Sequence, residues 1–456
     1  MFSQELDLVA LEARLARWLQ GKMPEGQDIS VSGLKRASAG FSNETFFFDV
    51  TWKDQGQARS ETMVLRRQPE DATLFPDYDL GKQFRIMERL GKTDIPVPQV
   101  YWLEEDKGVL GSPFYLMSKI DGDIAPEIPP YHSFGLCYDA TPERRRKLCM
   151  SGLEVTARIH TLDWKSLDFS FLGVPAPGST DAIDWELDYY ENFLNWAREE
   201  PQPILQAALE YLREHKFAPK RTTLCWGDCR MGNMVFGDSD EVPGVLDWEM
   251  AYLGNPEADL GWFLFMDWQH SEGYGIPRLE GFPSPEEIVA HWEKLTGWKA
   301  ENIFYHEVLA AFKFGVIMMK VVKNMKASNA PMTKDMDMNN SATQRLAALL
   351  ELPPPGEQRQ LTSINDVTVV IQTHLTGPGG YSWYLVADRG QGTRYEGIAE
   401  NADASTTMSF ETWKAIQSDE LNRVEAFMGG LIQVEGDVTL LMQLEDMLNR
   451  FSQGLV

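Results

Sequence analysis

The 456-residue sequence predicts an α+β protein in three parts. A strand-rich N-terminal segment is followed by a mostly helical middle, and a small separate α+β unit closes the chain. Three observations support this. Around residues 46–67 apolar and polar side chains alternate at the period of a strand. Between residues 148 and 326 the apolar residues instead recur at helical spacing. A stiff segment, Pro353–Gln358, then separates the last part, where Val367, Val369 and Ile371 alternate again. A hydrophobic fraction of 43%, with 23 Phe, 14 Trp and 14 Tyr, supplies large cores and excludes wholesale disorder.

Taken in order, Leu8, Leu11, Leu15 and Trp18 fall on one face of an acidic amphipathic helix. It has neither the basic start nor the apolar run of a signal peptide. Phe46, Phe48 and Val50 define one strand, and Glu61–Arg67 a second. A small-residue turn, Ser38-Ala39-Gly40-Phe41-Ser42-Asn43, precedes them. Leu80–Leu90 reads as a helix through Phe84, Met87 and Leu90. Pro96 and Pro98 break the chain before another strand at Pro113–Met117. The helices of the middle part are expected at Leu148–His160, Trp185–Arg198, Ile204–His215, Pro285–Thr296 and Glu301–Lys326, with a loop-rich stretch at Leu224–Leu260. In the last part, Trp383, Leu385 and Ala387 mark a strand. Thr412–Gln417, Arg423–Met428 and Val438–Arg450 read as helices there.

A formal net charge of −26 argues against nucleic acid as a partner, since phosphates repel so acidic a chain. The one basic run, Arg144–Lys147, reads as a solvated helix face. Four cysteines make no disulfide framework, and Cys225 and Cys229 lack further ligands for zinc. No stretch approaches the ~18 apolar residues of a membrane span. A soluble, cytoplasmic protein, not membrane-embedded, is expected.

The chemistry lies in Trp226-Gly227-Asp228-Cys229-Arg230-Met231-Gly232-Asn233, followed by Val245-Leu246-Asp247-Trp248-Glu249. Phosphoryl transfer from ATP uses an Asp, an Asn five residues later, and a second Asp after an apolar strand. The first Asp takes the acceptor's proton, while the Asn and the second Asp hold Mg²⁺, a hard cation suited to oxygen ligands. Arg230 stands where it can neutralise charge on the transferring phosphate. The strand Thr222–Cys225 ahead of the motif strengthens a signal that Asp-x-x-x-x-Asn alone would not carry.

On these residues the sequence resembles the aminoglycoside phosphotransferase and choline kinase-like family over roughly residues 29–350. Gly254-Asn255-Pro256-Glu257-Ala258-Asp259-Leu260 adds to the match. Gly40-Phe41-Ser42-Asn43-Glu44-Thr45 and Val64-Leu65-Arg66-Arg67-Gln68-Pro69 point to the branch found fused to acyl-CoA dehydrogenases. The resemblance implies a two-lobed protein-kinase-like fold over 1–352, with lobes of about 1–118 and 119–352. It implies a catalytic base at Asp228 and metal ligands at Asn233 and Asp247. Nucleotide contacts are implied at Ser38, Gly40, Ser42, Asn43 and Arg66, with Met117 and Ser118 in the adenine hinge. Three positions depart from the family pattern: Trp226 replaces a His, Arg66 a phosphate-contacting Lys, and Gln83 the Glu that pairs with that Lys. His160 and Asp259 read as structural braces, and the aromatic and Met residues of Phe312–Met325 as lobe core.

Ala402–Ser409 and Ala426–Asp437 make residues 361–456 similar to a sterol-carrier-protein-2-like domain. That resemblance implies lipid binding in an apolar tunnel, with Phe427, Met428, Leu431, Leu440, Leu441 and Leu444 as lining candidates. Together the expectation is an ATP- and Mg²⁺-dependent small-molecule kinase with a C-terminal lipid-binding module. Its acceptor is expected to be a hydroxyl on a lipid-like or acyl-CoA-linked molecule. The alternatives are a kinase for a cationic amino alcohol or aminoglycoside, and a pseudokinase that binds nucleotide and lipid without turnover.

Overall fold

A computed structural model describes residues 7–37, 43–69, 74–327, 335–355, 368–388, 391–418, 421, 426 and 431–436. Its first part begins with helix α1 (Leu8–Lys22), capped by the Asp7 carboxylate accepting from the Ala10 N–H at 3.0 Å. Strands β1 (Gln27–Arg36), β2 (Glu44–Asp54) and β3 (Gln57–Arg67) follow, then α2 (Leu80–Leu90), β4 (Val100–Glu104), α3 (Lys107–Leu110) and β5 (Phe114–Ser118). The strands form one antiparallel sheet in the order β1-β2-β3-β5-β4.

Alternation decides what each face of that sheet does. Phe46, Phe48 and Val50 turn inward with Met63 and Leu65, under the Leu11, Leu15 and Leu19 face of α1. Phe47, Asp49 and Thr51 turn outward. By the same period Arg66 emerges on the face opposite Leu65 and Arg67. Leu19, rather than the 36%-exposed Leu8, completes the buried stripe of α1.

The middle part runs β6 (Asp123–Ile124), α4 (Gly135–Tyr138), α5 (Pro142–His160), α6 (Asp181–Ala197), α7 (Pro203–Glu214), β7 (Thr223–Cys225), β8 (Met234–Phe236), β9 (Gly244–Val245) and β10 (Tyr252–Gly254). Helices α8 (Glu257–Gln269), α9 (Pro285–Thr296), α10 (Ile303–Ala327) and α11 (Ser341–Leu349) complete it. Short sheets β6-β8-β9 and β10-β7 carry the loops of interest. They are set against one large core that includes Leu153, Trp226, Trp248, Phe263 and Phe312. Helix α8 packs along α10.

The last part has β11 (Thr368–Thr376), β12 (Ser382–Asp388), β13 (Gln391–Glu396), β14 (Ala404–Ser409), α12 (Phe410–Gln417) and β15 (Ile432–Gly436). Its sheet order is β13-β12-β11-β14-β15, with only the β11–β14 pairing parallel. Leu375, Met408, Ile416 and Ile432 form its core beneath α12. The helices expected at Arg423–Met428 and Val438–Arg450 fall outside the described residues, apart from Ala426.

Elements that depart from the sequence reading include β4, α8, α11 and β13. Strand β4 follows Pro96 and Pro98 directly, with no alternation to announce it. Helix α8 lies within the apparent loop stretch and beyond it, because nearly all of its residues are buried and no polar face marks its period. Helix α11 and the polar strand β13 carry no clear apolar repeat. Among the described residues no helix is long and apolar enough to cross a membrane.

Candidate active site

The loop after β7 is fixed before any functional side chain is considered. The backbone N–H groups of Trp226 and Gly227 donate to the two carboxylate oxygens of Asp259, at 2.6 and 2.8 Å. His160 holds Asp259 at 3.0 Å and accepts in turn from the Trp292 indole at 3.0 Å. Gly227 has φ +85°, and a Cβ there would stand 2.1 Å from the Met250 carbonyl oxygen. Only glycine makes this turn. The Trp226 indole donates to the carbonyls of Leu246 and Asp247, both at 3.0 Å. Where the family pattern has a His, an indole thus braces the backbone of the second Asp.

Asp228 is buried, 6% exposed. One carboxylate oxygen accepts from Asn233 Nδ2 at 2.7 Å, the other from Trp262 Nε1 at 2.9 Å. Burial, then the nearby Asp247 carboxylate, pushes its pKa up to about 7, which suits a general base at neutral pH. Arg230 Nε lies 2.9 Å from Asp228 Oδ1, an ion-pair distance without hydrogen-bond alignment. Its Nη1 is paired with Glu127. Gly232 leaves room for Glu127, whose carboxylate a Cβ would meet at 2.4 Å.

Asn233 and Asp247 are brought together by the Leu246 N–H, which donates to the Asn233 carbonyl at 2.9 Å. Asp247 sits at φ +57°. Its Oδ1 is buried and has no hydrogen-bond partner among the described residues. Its Oδ2 lies 3.3 Å from Arg66 Nη2. Two hard oxygen donors and an orphaned carboxylate oxygen fit Mg²⁺, which takes few protein ligands and keeps several waters.

On the sheet side, Arg66 Nη1 donates to Thr45 Oγ1 at 3.0 Å. Burial opposes its charge, but the Asp247 and Glu249 carboxylates outweigh that, and its pKa is raised. Gln83 is not its hydrogen-bond partner here. The Gln83 amide oxygen accepts from Tyr115 at 3.3 Å, and Tyr115 is the register partner of Arg66 on β5. Asn43 Nδ2 donates to Glu249 Oε2 at 3.1 Å. Met117 and Ser118 end β5, with Ser118 exchanging hydrogen bonds with Gln99 at 2.8 and 2.9 Å. Ser38, Gly40 and Ser42 lie outside the described residues.

A cleft of about 170 Å³ adjoins this site, lined by Phe75, Lys82, Glu186, Tyr189, Tyr190, Glu249 and Tyr252 among others. Lys82 Nζ donates to the Glu249 carbonyl at 3.2 Å, and burial lowers its pKa. Glu127, Trp262, Lys82, Glu186 and Lys313 were not singled out from sequence. The one available signal was Lys313 itself, a lone cation between Phe312 and Phe314. In the last part, Phe427, Met428, Leu440, Leu441 and Leu444 lie outside the described residues, and Leu431 is 50% exposed.

Residues 33–298 match the model of the Phosphotransferase enzyme family, and residues 346–449 that of the SCP-2 sterol transfer family. Acyl-CoA dehydrogenase family member 10 of Mus musculus is 30% identical over 246 residues, covering 53% of this chain and 21% of that protein. Acyl-CoA dehydrogenase family member 11 of Homo sapiens is 26% identical over 389 residues, 82% of this chain and 45% of that one. The chain therefore spans less than half the length of these curated relatives. Among solved structures, a candidate aminoglycoside phosphotransferase of Ralstonia eutropha superposes with a TM-score of 0.55 at 23% identity. It covers 74% of this chain and 95% of its own, which shows a shared fold.

Proposed function

This chain belongs to the phosphotransferase enzyme family, and from that premise we propose that residues 1–352 transfer the γ-phosphate of ATP to a hydroxyl acceptor. Residues 361–456 form the lipid-binding module in this reading. The acceptor is a lipid-like or acyl-CoA-linked alcohol. Relatives named acyl-CoA dehydrogenase family members and the SCP-2 sterol transfer match support that choice from two independent directions.

The observation that carries the proposal is buried Asp228 accepting from the Asn233 amide nitrogen, with Asn233 and Asp247 joined on adjoining segments and Asp247 Oδ1 left without a partner among the described residues. Asp228 accepts the acceptor's proton as the acceptor oxygen bonds to the γ-phosphorus and the bond to ADP breaks. Arg230, beside Asp228, supplies positive charge near the transferring group. Asn233 and Asp247 would hold Mg²⁺, which when bound neutralises the nucleotide's phosphate oxygens. Arg66 contacts those phosphates together with the turn Ser38–Asn43. Arg suits this task because its fork matches phosphate oxygens and its charge is permanent. Met117 and Ser118 take the adenine edge.

Incubation of the purified protein with ATP, Mg²⁺ and a panel of hydroxylated lipids and acyl-CoA thioesters tests this reading by mass spectrometry. A product 80 Da heavier than one acceptor class is expected, the mass of an added phosphate group. Turnover confined to amino alcohols or aminoglycosides would contradict the acceptor assignment.

A further inference from the structure

Lys313 lies in the middle of α10 and is almost wholly buried, 4% exposed. A buried ammonium is costly unless it is paired. Here it pairs with the Glu186 carboxylate at 2.9 Å. Its Nζ also stands over the rings of Tyr190, Trp262 and Tyr252, at 5.0, 5.4 and 5.7 Å from their centroids. Three aromatic faces around one cation, with a carboxylate to neutralise it, make the environment that recognises an ammonium ligand. Helix α6 contributes Glu186 and Tyr190, while α8, α10 and strand β10 contribute Trp262, Lys313 and Tyr252.

The position of this box gives it a role. Trp262 offers its ring to Lys313 and donates its indole N–H to Asp228 at 2.9 Å. Glu186, Tyr190 and Tyr252 also line the cleft beside Glu249. An acceptor whose hydroxyl reaches Asp228 therefore passes close to this box. Lys82 lines the same cleft and adds a second ammonium.

We propose that Lys313 fills with its own ammonium the position beside Asp228 where a cationic acceptor would bind. It is thereby a specificity-determining residue that reserves the site for uncharged or anionic hydroxyl acceptors. An incoming ammonium finds the aromatic faces covered, the carboxylate neutralised and a like charge in place. The inference rests on the hydroxyl-phosphotransferase reading for its biological sense, but the box stands on its own contacts.

The test is calorimetric titration of the full chain with choline, without nucleotide, comparing wild type with Lys313→Ala. Because no transfer is measured, failure of the kinase reading and failure of this inference remain distinguishable. Lys313→Ala should bind choline at least about tenfold more tightly than wild type, the scale of one desolvated cation–π site gained. Lys313→Gln keeps a donor for Glu186 and carries the same expectation should the alanine variant not fold. Lys313→Arg should bind choline no better than wild type. Choline binding to wild type as tight as to the variants would overturn the proposal, as would a folded Lys313→Ala or Lys313→Gln with no gain.

Discussion

The two sides of the candidate active-site cleft are built on different principles. On the Asp228 side, every group that fixes the loop comes from the same large core. Asp259, His160, Trp292 and Trp226 form a connected set of hydrogen bonds behind Asp228, and Trp262 donates to Asp228 itself. On the Arg66 side, side chains reach across the cleft from separate elements, Arg66 to Asp247, Asn43 to Glu249 and Lys82 to the Glu249 carbonyl. The difference teaches where preorganisation lies. In the proposed function, Asp228 is held before substrates arrive, whereas the contacts on the Arg66 side are ones that a bound nucleotide would exchange.

Variants on the two sides should separate accordingly. The largest effect is expected on the braced side, from Gly227→Ala. The positive φ alone costs about 1–3 kcal/mol, and the clash with the Met250 carbonyl adds to it. Thermal unfolding should move down by several degrees, with activity lost in parallel. An unchanged melting temperature would show that the loop is less rigid than its contacts require.

On the other side, Arg66→Ala should raise the Kd for ATP, besides the stability lost when Asp247 is left without its buried partner. One charge-assisted contact is worth about 1.5–3 kcal/mol, roughly ten- to a hundredfold, as read by equilibrium nucleotide titration. Insensitivity of ATP binding to this change would strengthen the pseudokinase alternative. The smallest effect belongs to Gln83→Ala. It removes a neutral hydrogen bond to Tyr115, worth about 0.5–1.5 kcal/mol of stability, with little change in ATP affinity because Gln83 does not hold Arg66.

Much of the frame was legible because burial on one face leaves a period. Phe46, Phe48 and Val50 mark β2, and Leu80–Leu90 is a helix with the expected bounds. Helix α8 was hidden for the opposite reason, since burial on all sides erases the period. At the site, Asp228, Asn233 and Asp247 could be picked out by spacing because Asp228 and Asn233 share one short loop and Asp247 closely follows the next hairpin, β8–β9. Glu127, Trp262, Glu186 and Lys313 come from distant elements, and only the folded chain brings them to Asp228. Gln83, at the position of the family's pairing Glu, instead accepts from Tyr115, and Asp247 pairs with Arg66.

The central claim, that Asp228 is the base and Asp247 holds Mg²⁺, is tested most directly by one paired measurement. Single-turnover transfer and Mg²⁺-dependent ATP binding are followed together in wild type, Asp228→Asn and Asp247→Ala. Asp228→Asn should lose about 10²–10⁴ in rate while binding ATP with Mg²⁺ as wild type does. Asp247→Ala should lose the Mg²⁺ enhancement of ATP binding itself. Wild-type transfer by Asp228→Asn, or undiminished Mg²⁺ enhancement in Asp247→Ala, would contradict the account.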